Sequence, residues 1–165
     1  MENMTSFNAV YESFFSKITD DMYMEMTEED TKRDAKDILM SALPSFEFPR
    51  HSIFDYDKKL EVFNDVLDDE EINIIATYMI VEWLSRQTAS VENSRMKYTG
   101  SDFKMSSQAN HMSKLQSLMK HYTTQAFHLQ RLYGRRKDDG KGKKKANWSR
   151  IMQTDKGEWN FVSKP

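Results

Sequence analysis

The chain has 165 residues with no cysteine, five glycines and three prolines, and its formal net charge is −2. This length suits one domain with an extension, and the composition favours helices over a turn-rich β fold. Without cysteine there is no disulfide framework, and no apolar run approaches the roughly 20 residues that span a bilayer. The start, MENMTSFNAVYE, also lacks the basic flank and apolar core of a signal peptide. We therefore expect a soluble intracellular protein that does not contact a membrane.

The small net charge conceals two oppositely charged parts. Residues 1–133 contain 14 Lys and Arg against 22 Asp and Glu, a net −8, whereas residues 134–165 contain 10 against 4, a net +6. Such asymmetry is typical of a folded body with an interaction tail. The sequence therefore predicts a helical domain over residues 1–133 and a basic, extended C-terminal arm over residues 134–165.

The first two predicted helices follow from apolar spacing. Residues 5–18 carry a helical stripe, formed by Phe7, Val10, Tyr11, Phe14, Phe15 and Ile18. Thr27 and the three acidic residues after it predict the start of a second helix, because a hydroxyl accepts free N–H groups and acids suit the helix dipole. Pro44 should end that helix. Its apolar face consists of Ala35, Ile38, Leu39, Ala42 and Leu43.

Between residues 45 and 67 the apolar period changes from helical to alternating. Residues 46–48 and residues 60–62 each place one polar side chain between two apolar ones. Two short strands joined by a loop through residues 55–57 fit this pattern, and Pro49 restricts the first strand to a sheet edge. We predict a short β-hairpin here.

The acidic run Asp68-Asp69-Glu70-Glu71 opens the clearest helix, which we predict over residues 69–86. Its apolar residues form two stripes, as expected of the central helix of a bundle. One stripe is Ile72, Ile75, Ala76, Met79, Ile80, Trp83 and Leu84, and the other is Ile74, Tyr78 and Val81. A shorter helix is predicted over residues 88–98, followed by a break at Thr99-Gly100-Ser101.

The last predicted helix runs from about Ser107 to Tyr133, with Gly134 as its C-terminal cap. Its apolar residues follow a heptad pattern: Met112, Leu115, Met119, Tyr122, Ala126, Leu129 and Tyr133. At 1.5 Å per residue it would reach about 40 Å, which predicts that part of it packs on another subunit. The fold class is therefore mainly α, a small helical bundle with a long C-terminal helix, a short β-hairpin and an extended C-terminal arm.

No residue pattern in the sequence indicates catalysis. A glycine-rich phosphate loop, a nucleophile elbow and an HExxH motif are all missing, so we predict no enzymatic activity, no catalytic residue and no cofactor. His121 and His128 would lie about 10 Å apart on a helix, too far for one metal ion. The acids at 68–71 suit a helix start better than a Ca²⁺ loop. We predict no metal site.

Candidate binding residues lie in the C-terminal arm. The residues suited to DNA phosphates or an acidic partner are Arg135, Arg136, Lys137, Lys141, Lys143, Lys144, Lys145 and Arg150. The apolar anchors, of the kind that dominates protein interfaces, are Trp148, Ile151, Trp159, Phe161 and Val162. We expect the basic half to stay extended and hydrated, and the aromatic half to dock on neighbouring subunits, for example by adding a strand to a sheet edge. An arm folded onto its own domain is the alternative.

Three stretches, ILMSALPSFEFP, DDEEINIIATYMIVEWLSRQ and DFKMSSQANHMSKLQSLM, resemble the head–tail connector (adaptor or neck) proteins of tailed bacteriophages. The likeness covers residues 27–133 and rests on hydrophobic pattern without a site motif, so it transfers no functional residues. It implies a homo-oligomeric ring, usually twelve-fold, that binds the portal protein and a tail-side neck or tail-completion protein and surrounds packaged DNA.

The same resemblance implies a virion protein of the head–tail junction that is assembled in the host cytoplasm, without enzymatic activity or cofactor. The basic extension after Gly134 is longer than the family pattern. Two other functions stay open from the residues alone. One is a nucleic-acid-binding protein that uses the basic tail, and the other is a small enzyme.

Overall fold

The computed structural model of the chain describes residues 4–18, 23, 26–97, 102–138 and 144–148. Within them it has four α-helices: α1 (Phe7–Phe15), α2 (Glu28–Ala42), α3 (Asp69–Lys97) and α4 (Asp102–Arg135). The five short strands in these residues are β1 (Thr5–Ser6), β2 (Tyr56–Asp57), β3 (Val62–Phe63), β4 (Arg136–Asp138) and β5 (Lys144–Ala146). The predicted mainly helical fold is confirmed. The chain divides into two compact units, Met1–Ala126 and Phe127–Pro165.

The core of the first unit forms where α1 and α2 pack on α3. Every residue of α3 from Ile74 to Ile80 is buried, which confirms the double apolar stripe and the central position of this helix. Ile72 and Trp83 of the first stripe and Val81 of the second are only partly buried. The apolar faces of α1 and α2 also enter the core, with the buried residues Phe7, Val10, Tyr11, Phe14, Ala35, Ile38, Leu39 and Ala42.

Side-chain caps set the starts of the first two helices. The Thr27 hydroxyl accepts the N–H of Asp30 at 3.2 Å, as the sequence predicted. Helix α1 starts at Phe7 rather than at residue 5, because Ser6 ends strand β1 and its hydroxyl accepts the N–H of Asn8 at 3.2 Å. Helix α2 ends at Ala42, and Pro44 lies in a 3-10 turn over Leu43–Ser45 that follows it.

The strands of the first unit form an antiparallel sheet in the order β1-β3-β2. The predicted hairpin is only partly correct. Strand β3 lies near the second predicted strand, but its hairpin partner is Tyr56–Asp57, which was predicted to be loop. Residues 46–48 form no strand, since Phe46 enters the core and Phe48 is exposed. The Asp57 carboxylate accepts the N–H groups of Lys59 and Leu60, and this turn places β2 against β3.

Both long helices extend past their predicted ends. Helix α3 continues to Lys97, so residues 88–97 are helical as predicted, but they belong to the same helix as residues 69–86. Helix α4 starts at Asp102 and continues through Gly134 to Arg135, so Gly134 is not its cap. The helix can end without a glycine cap because the chain returns to it. The carbonyl of Arg135 accepts the N–H of Asn147 at 2.7 Å and is thereby satisfied. No helix within the described residues combines the length and apolarity that a bilayer crossing requires.

The central position of α3 predicts the effect of a core truncation. Met79 has no exposed surface, so Met79→Ala should lower the free energy of unfolding by about 2–5 kcal/mol through lost burial and a residual cavity. Leu60 is 69% exposed, and Leu60→Ala should cost less than about 0.5 kcal/mol. Chemical denaturation measures both values, and similar losses for the two variants would contradict the core assignment.

Candidate interaction surfaces

A buried carboxylate joins helix α3 to the loop before it. The side chain of Glu71 has no exposed surface. One of its oxygens accepts the N–H groups of Arg50 at 2.9 Å and His51 at 3.1 Å, and the other accepts the N–H of Asp68 at 3.2 Å. The Asp68 carboxylate accepts the Glu71 N–H at 2.8 Å in return, which makes a capping box. One side chain therefore caps α3 and fixes the loop.

We call Glu71 and the groups that it binds the Glu71 anchor. His51 completes it, because its Nδ1 contacts the second Glu71 oxygen. Both Glu71 oxygens accept backbone N–H groups, so this contact is a hydrogen bond in the tautomer that has the N–H at Nδ1. This pair was not predictable from local sequence pattern, since the two residues lie 20 positions apart. One signal was available: Glu71 stands one turn before Ile74 on a buried apolar stripe, where an acid needs a partner. By contrast, the other histidines, His111, His121 and His128, are exposed on α4.

The anchor residues also have metal-ligand chemistry. His51, Asp68 and Glu71 each offer a ligand atom, and these atoms lie within 4.8 Å of one another. An ion here would displace hydrogen bonds from both Glu71 oxygens and would sit beside the Arg50 guanidinium, 3.6 Å from Asp68. The hydrogen bonds account for the cluster as a structural anchor, and the absence of a metal site stays a prediction.

Further polar contacts fix the loop beyond the anchor. Asn64 donates to Asp55 twice, from its backbone N–H at 2.9 Å and from its side-chain amide at 2.6 Å. The Asp65 carboxylate accepts the N–H of Ser52 at 3.1 Å and that of Val66 at 2.9 Å. These two N–H groups hold the pKa of Asp65 below its usual range. Residues 52–55 are thereby tied to the end of β3.

Large apolar side chains next to these contacts point into solvent. Phe54 adjoins Asp55 and is 59% exposed, and Val66 adjoins Asp65 and is 48% exposed. Met4 is exposed next to Thr5, whose N–H donates to the Asp65 carbonyl at 3.2 Å. We call Met4, Phe54 and Val66 the loop surface. The surrounding segment is acidic, with nine Asp and Glu against three Lys and Arg in residues 45–71.

A second exposed surface lies on helix α4 and has the opposite charge. Leu118 is 47% exposed, with Lys114 one turn before it and Tyr122 one turn after it. His121, three residues after Leu118, lies on the same side of the helix. We call Lys114, Leu118, His121 and Tyr122 the helix surface. Residues 103–126, which lie in the first unit, contain three Lys and no Asp or Glu, a pattern that sequence reasoning overlooked.

The basic residues after α4 form a hairpin in which β4 and β5 pair antiparallel. The sequence predicted an extended, hydrated segment, and the structure pairs its two halves with each other. Lys137 lies directly opposite Lys145, and both are exposed. Opposed residues on one face of a sheet have Cβ atoms about 5 Å apart, so this pair concentrates positive charge. Trp148, two residues past β5, is 69% exposed.

The predicted arm residues divide into two groups. Arg135, Lys144, Lys145 and Trp148 are exposed, and Arg136 is partly buried. The hairpin register brings Arg136 and Lys137 next to β5. The remaining predicted residues lie outside the described ones: Lys141, Lys143, Arg150, Ile151, Trp159, Phe161 and Val162.

The first unit also has a cleft of about 510 Å³ beside α1 and the start of α2. Its lining includes Tyr11, Phe15, Tyr23, Met26, Glu12 and Lys32. The Tyr11 hydroxyl is buried and has no hydrogen-bond partner among the described residues. Burial raises its pKa, and the carboxylates of Glu61 and Asp37 raise it further, so the hydroxyl stays protonated at neutral pH. The described lining combines aromatic faces with the ion pair that Lys32 forms with Glu28.

The anchor makes a stability prediction. Glu71→Ala leaves the partly buried N–H groups of Arg50 and His51 without their acceptor, so we expect a loss of about 2–5 kcal/mol in the free energy of unfolding. Asp69 lies in the same turn of α3 but is exposed, and Asp69→Ala should cost no more than about 1 kcal/mol through the helix dipole. Urea denaturation compares them, and a Glu71 variant as stable as the Asp69 variant would rule out the anchor.

Comparison of the chain with protein-family models, with curated proteins and with solved structures finds no match. A function therefore has to be inferred from the chain's own surfaces. These are the acidic loop surface held by the Glu71 anchor, the basic helix surface, and the lysine-rich hairpin with its exposed tryptophan.

Proposed function

We propose that this protein is a structural virion protein, a head–tail connector or adaptor that forms a ring between the portal and the tail-side neck proteins, around the DNA channel. The observation that carries the proposal is the loop surface. A hydrogen-bonded loop holds Phe54 and Val66 in solvent, although the same unit buries most of its large apolar side chains. Exposed apolar side chains that form a contiguous patch mark protein–protein contacts.

The helix surface supports assembly in the same way. Helix α4 has 34 residues, about 50 Å in length, and exposes Leu118 among basic and aromatic neighbours. A protein that works by assembly needs such contact surfaces and needs no cofactor or chemical step. The phage setting, the portal and the neck partners come from the resemblance over residues 27–133 to connector proteins.

The direct test is electron microscopy and mass photometry of the purified protein, alone and with its portal protein. We expect homo-oligomers whose class averages are rings, and rings seated on the portal when it is present. A chain that stays monomeric in both samples and does not bind the portal would contradict the proposal. Turnover of a substrate that disappears on mutating one Asp, Glu or His would favour an enzyme instead.

The hairpin favours a second function, binding of duplex DNA. A two-stranded β-ribbon fits the major groove, and the opposed Lys137 and Lys145 provide two cations on one of its faces. This function is compatible with a connector ring, because such a ring surrounds packaged DNA. The acidic first unit would repel a duplex, so the contact would be confined to the hairpin and the basic end of α4.

The second function predicts a defined salt effect. Replacing Lys137 and Lys145 with Gln should weaken duplex binding and make the plot of log affinity against log salt less steep by about 1.8, since each phosphate contact contributes about 0.9. The control replaces Lys58 and Lys59, two exposed lysines of the acidic first unit, with Gln. Fluorescence anisotropy over a salt series measures both. If the control variant changes the slope as much as the hairpin variant, the hairpin is not the DNA site.

A further inference from the structure

We infer that neighbouring copies join head to tail, with the loop surface of one copy seated on the helix surface of the next. This inference rests on the proposed ring and identifies its interface. Both surfaces belong to the first unit, Met1–Ala126. They are two different patches of one chain, so each copy offers both halves of the contact.

The loop surface is suited to binding because its backbone is already fixed. Glu71 holds the loop at Arg50 and His51, and Asp65 holds it again at Ser52. A preorganised surface loses little conformational freedom when a partner covers it. Phe54, the most exposed side chain of this surface, is a rigid aromatic of the kind that contributes strongly to interfaces.

Charge selects which surface is the partner. The segment that carries the loop surface, residues 45–71, has a net charge of −6 from its nine acids and three bases. The segment that carries the helix surface has only positive formal charges between residues 103 and 126, and Lys114, one turn before Leu118, is exposed there. Two loop surfaces or two helix surfaces would bring like charges together, whereas a loop surface on a helix surface brings opposite charges together.

The consequence is a heterologous contact, in which one copy uses a different patch from its neighbour. Contacts of this kind repeat from copy to copy and close into a ring when the rotation between copies permits. An isologous contact between identical patches would stop at a dimer. The inferred contact therefore supplies the symmetry that the proposed function needs.

The test uses two variants and their mixture. Phe54→Ser removes the apolar centre of the loop surface and leaves the helix surface intact, and Leu118→Ser does the reverse. Both side chains are exposed, so circular dichroism and thermal melting should match the unmodified chain. We expect each variant alone to be monomeric in analytical ultracentrifugation. The equimolar mixture should form a dimer, because the intact helix surface of the first variant can bind the intact loop surface of the second.

Leu60→Ser is the matched control, since Leu60 is 69% exposed in the turn between β2 and β3 and lies outside both surfaces. This variant should assemble like the unmodified chain, and added salt should weaken both. Variants that assemble normally, or a mixture that stays monomeric, would overturn the head-to-tail contact while leaving the ring intact as a proposal. A chain that is monomeric before any substitution, alone and with portal, would overturn the ring and the contact together.

Discussion

The folded loop depends on one buried carboxylate. Burying the Glu71 carboxylate is unfavourable unless its oxygens accept hydrogen bonds. The backbone N–H groups of Arg50, His51 and Asp68 and the His51 ring provide them. These donors come from the loop and from the start of α3. The carboxylate is satisfied only when both segments are in place, so the loop and the central helix are expected to order together. The contacts of Asp55 with Asn64 and of Asp65 with Ser52 then hold Phe54 and Val66 in solvent.

Charge segregation in this chain starts as local helix chemistry. Acids gather at the beginnings of α2 and α3, where free N–H groups and the helix dipole favour them. Arg135 lies in the last turn of α4, where the dipole favours a cation. Each placement stabilises its own helix slightly, and the acids at the start of α3 also contribute to the acidic segment of the first unit, residues 45–71. A pattern that serves local stability thus also makes that segment acidic.

The sequence predicted those parts of the fold that depend on near neighbours. The stripes of α2 and α3, that of α1 as far as Phe15, and the Thr27 cap were correct, because their spacing of three or four residues is itself the helical geometry. The strands were partly missed, since two-residue strands are too short to show alternation and the Asp57 turn decides their position. The end of α4 was missed because Asn147, a residue that returns to it, satisfies its last turn.

The candidate sites were less predictable because they depend on contacts between residues that lie far apart in the sequence. The positive charge of the arm was visible in composition, but the pairing of Lys137 with Lys145 depends on a hairpin register that composition does not contain. The anchor brings together residues 20 positions apart. The loop surface is defined by which apolar side chains the anchor leaves outside, and Phe46 and Phe54 differ in burial although both are aromatic residues of the same loop. Exposure is decided by tertiary contacts rather than by residue type.

Rigidity and charge have separate tasks in the proposed ring. A head-to-tail ring requires a patch that keeps its shape before the neighbour arrives, since every copy must present the same angle for the ring to close. It also requires that two copies of the patch do not bind each other, because a self-complementary patch would end assembly at dimers. The Glu71 anchor supplies the first condition and the acidic composition of residues 45–71 supplies the second. Carboxylates thus meet both conditions in the proposed ring. The buried carboxylate of Glu71 fixes the loop, and the exposed carboxylates of residues 45–71 favour contact with the basic helix of the next copy.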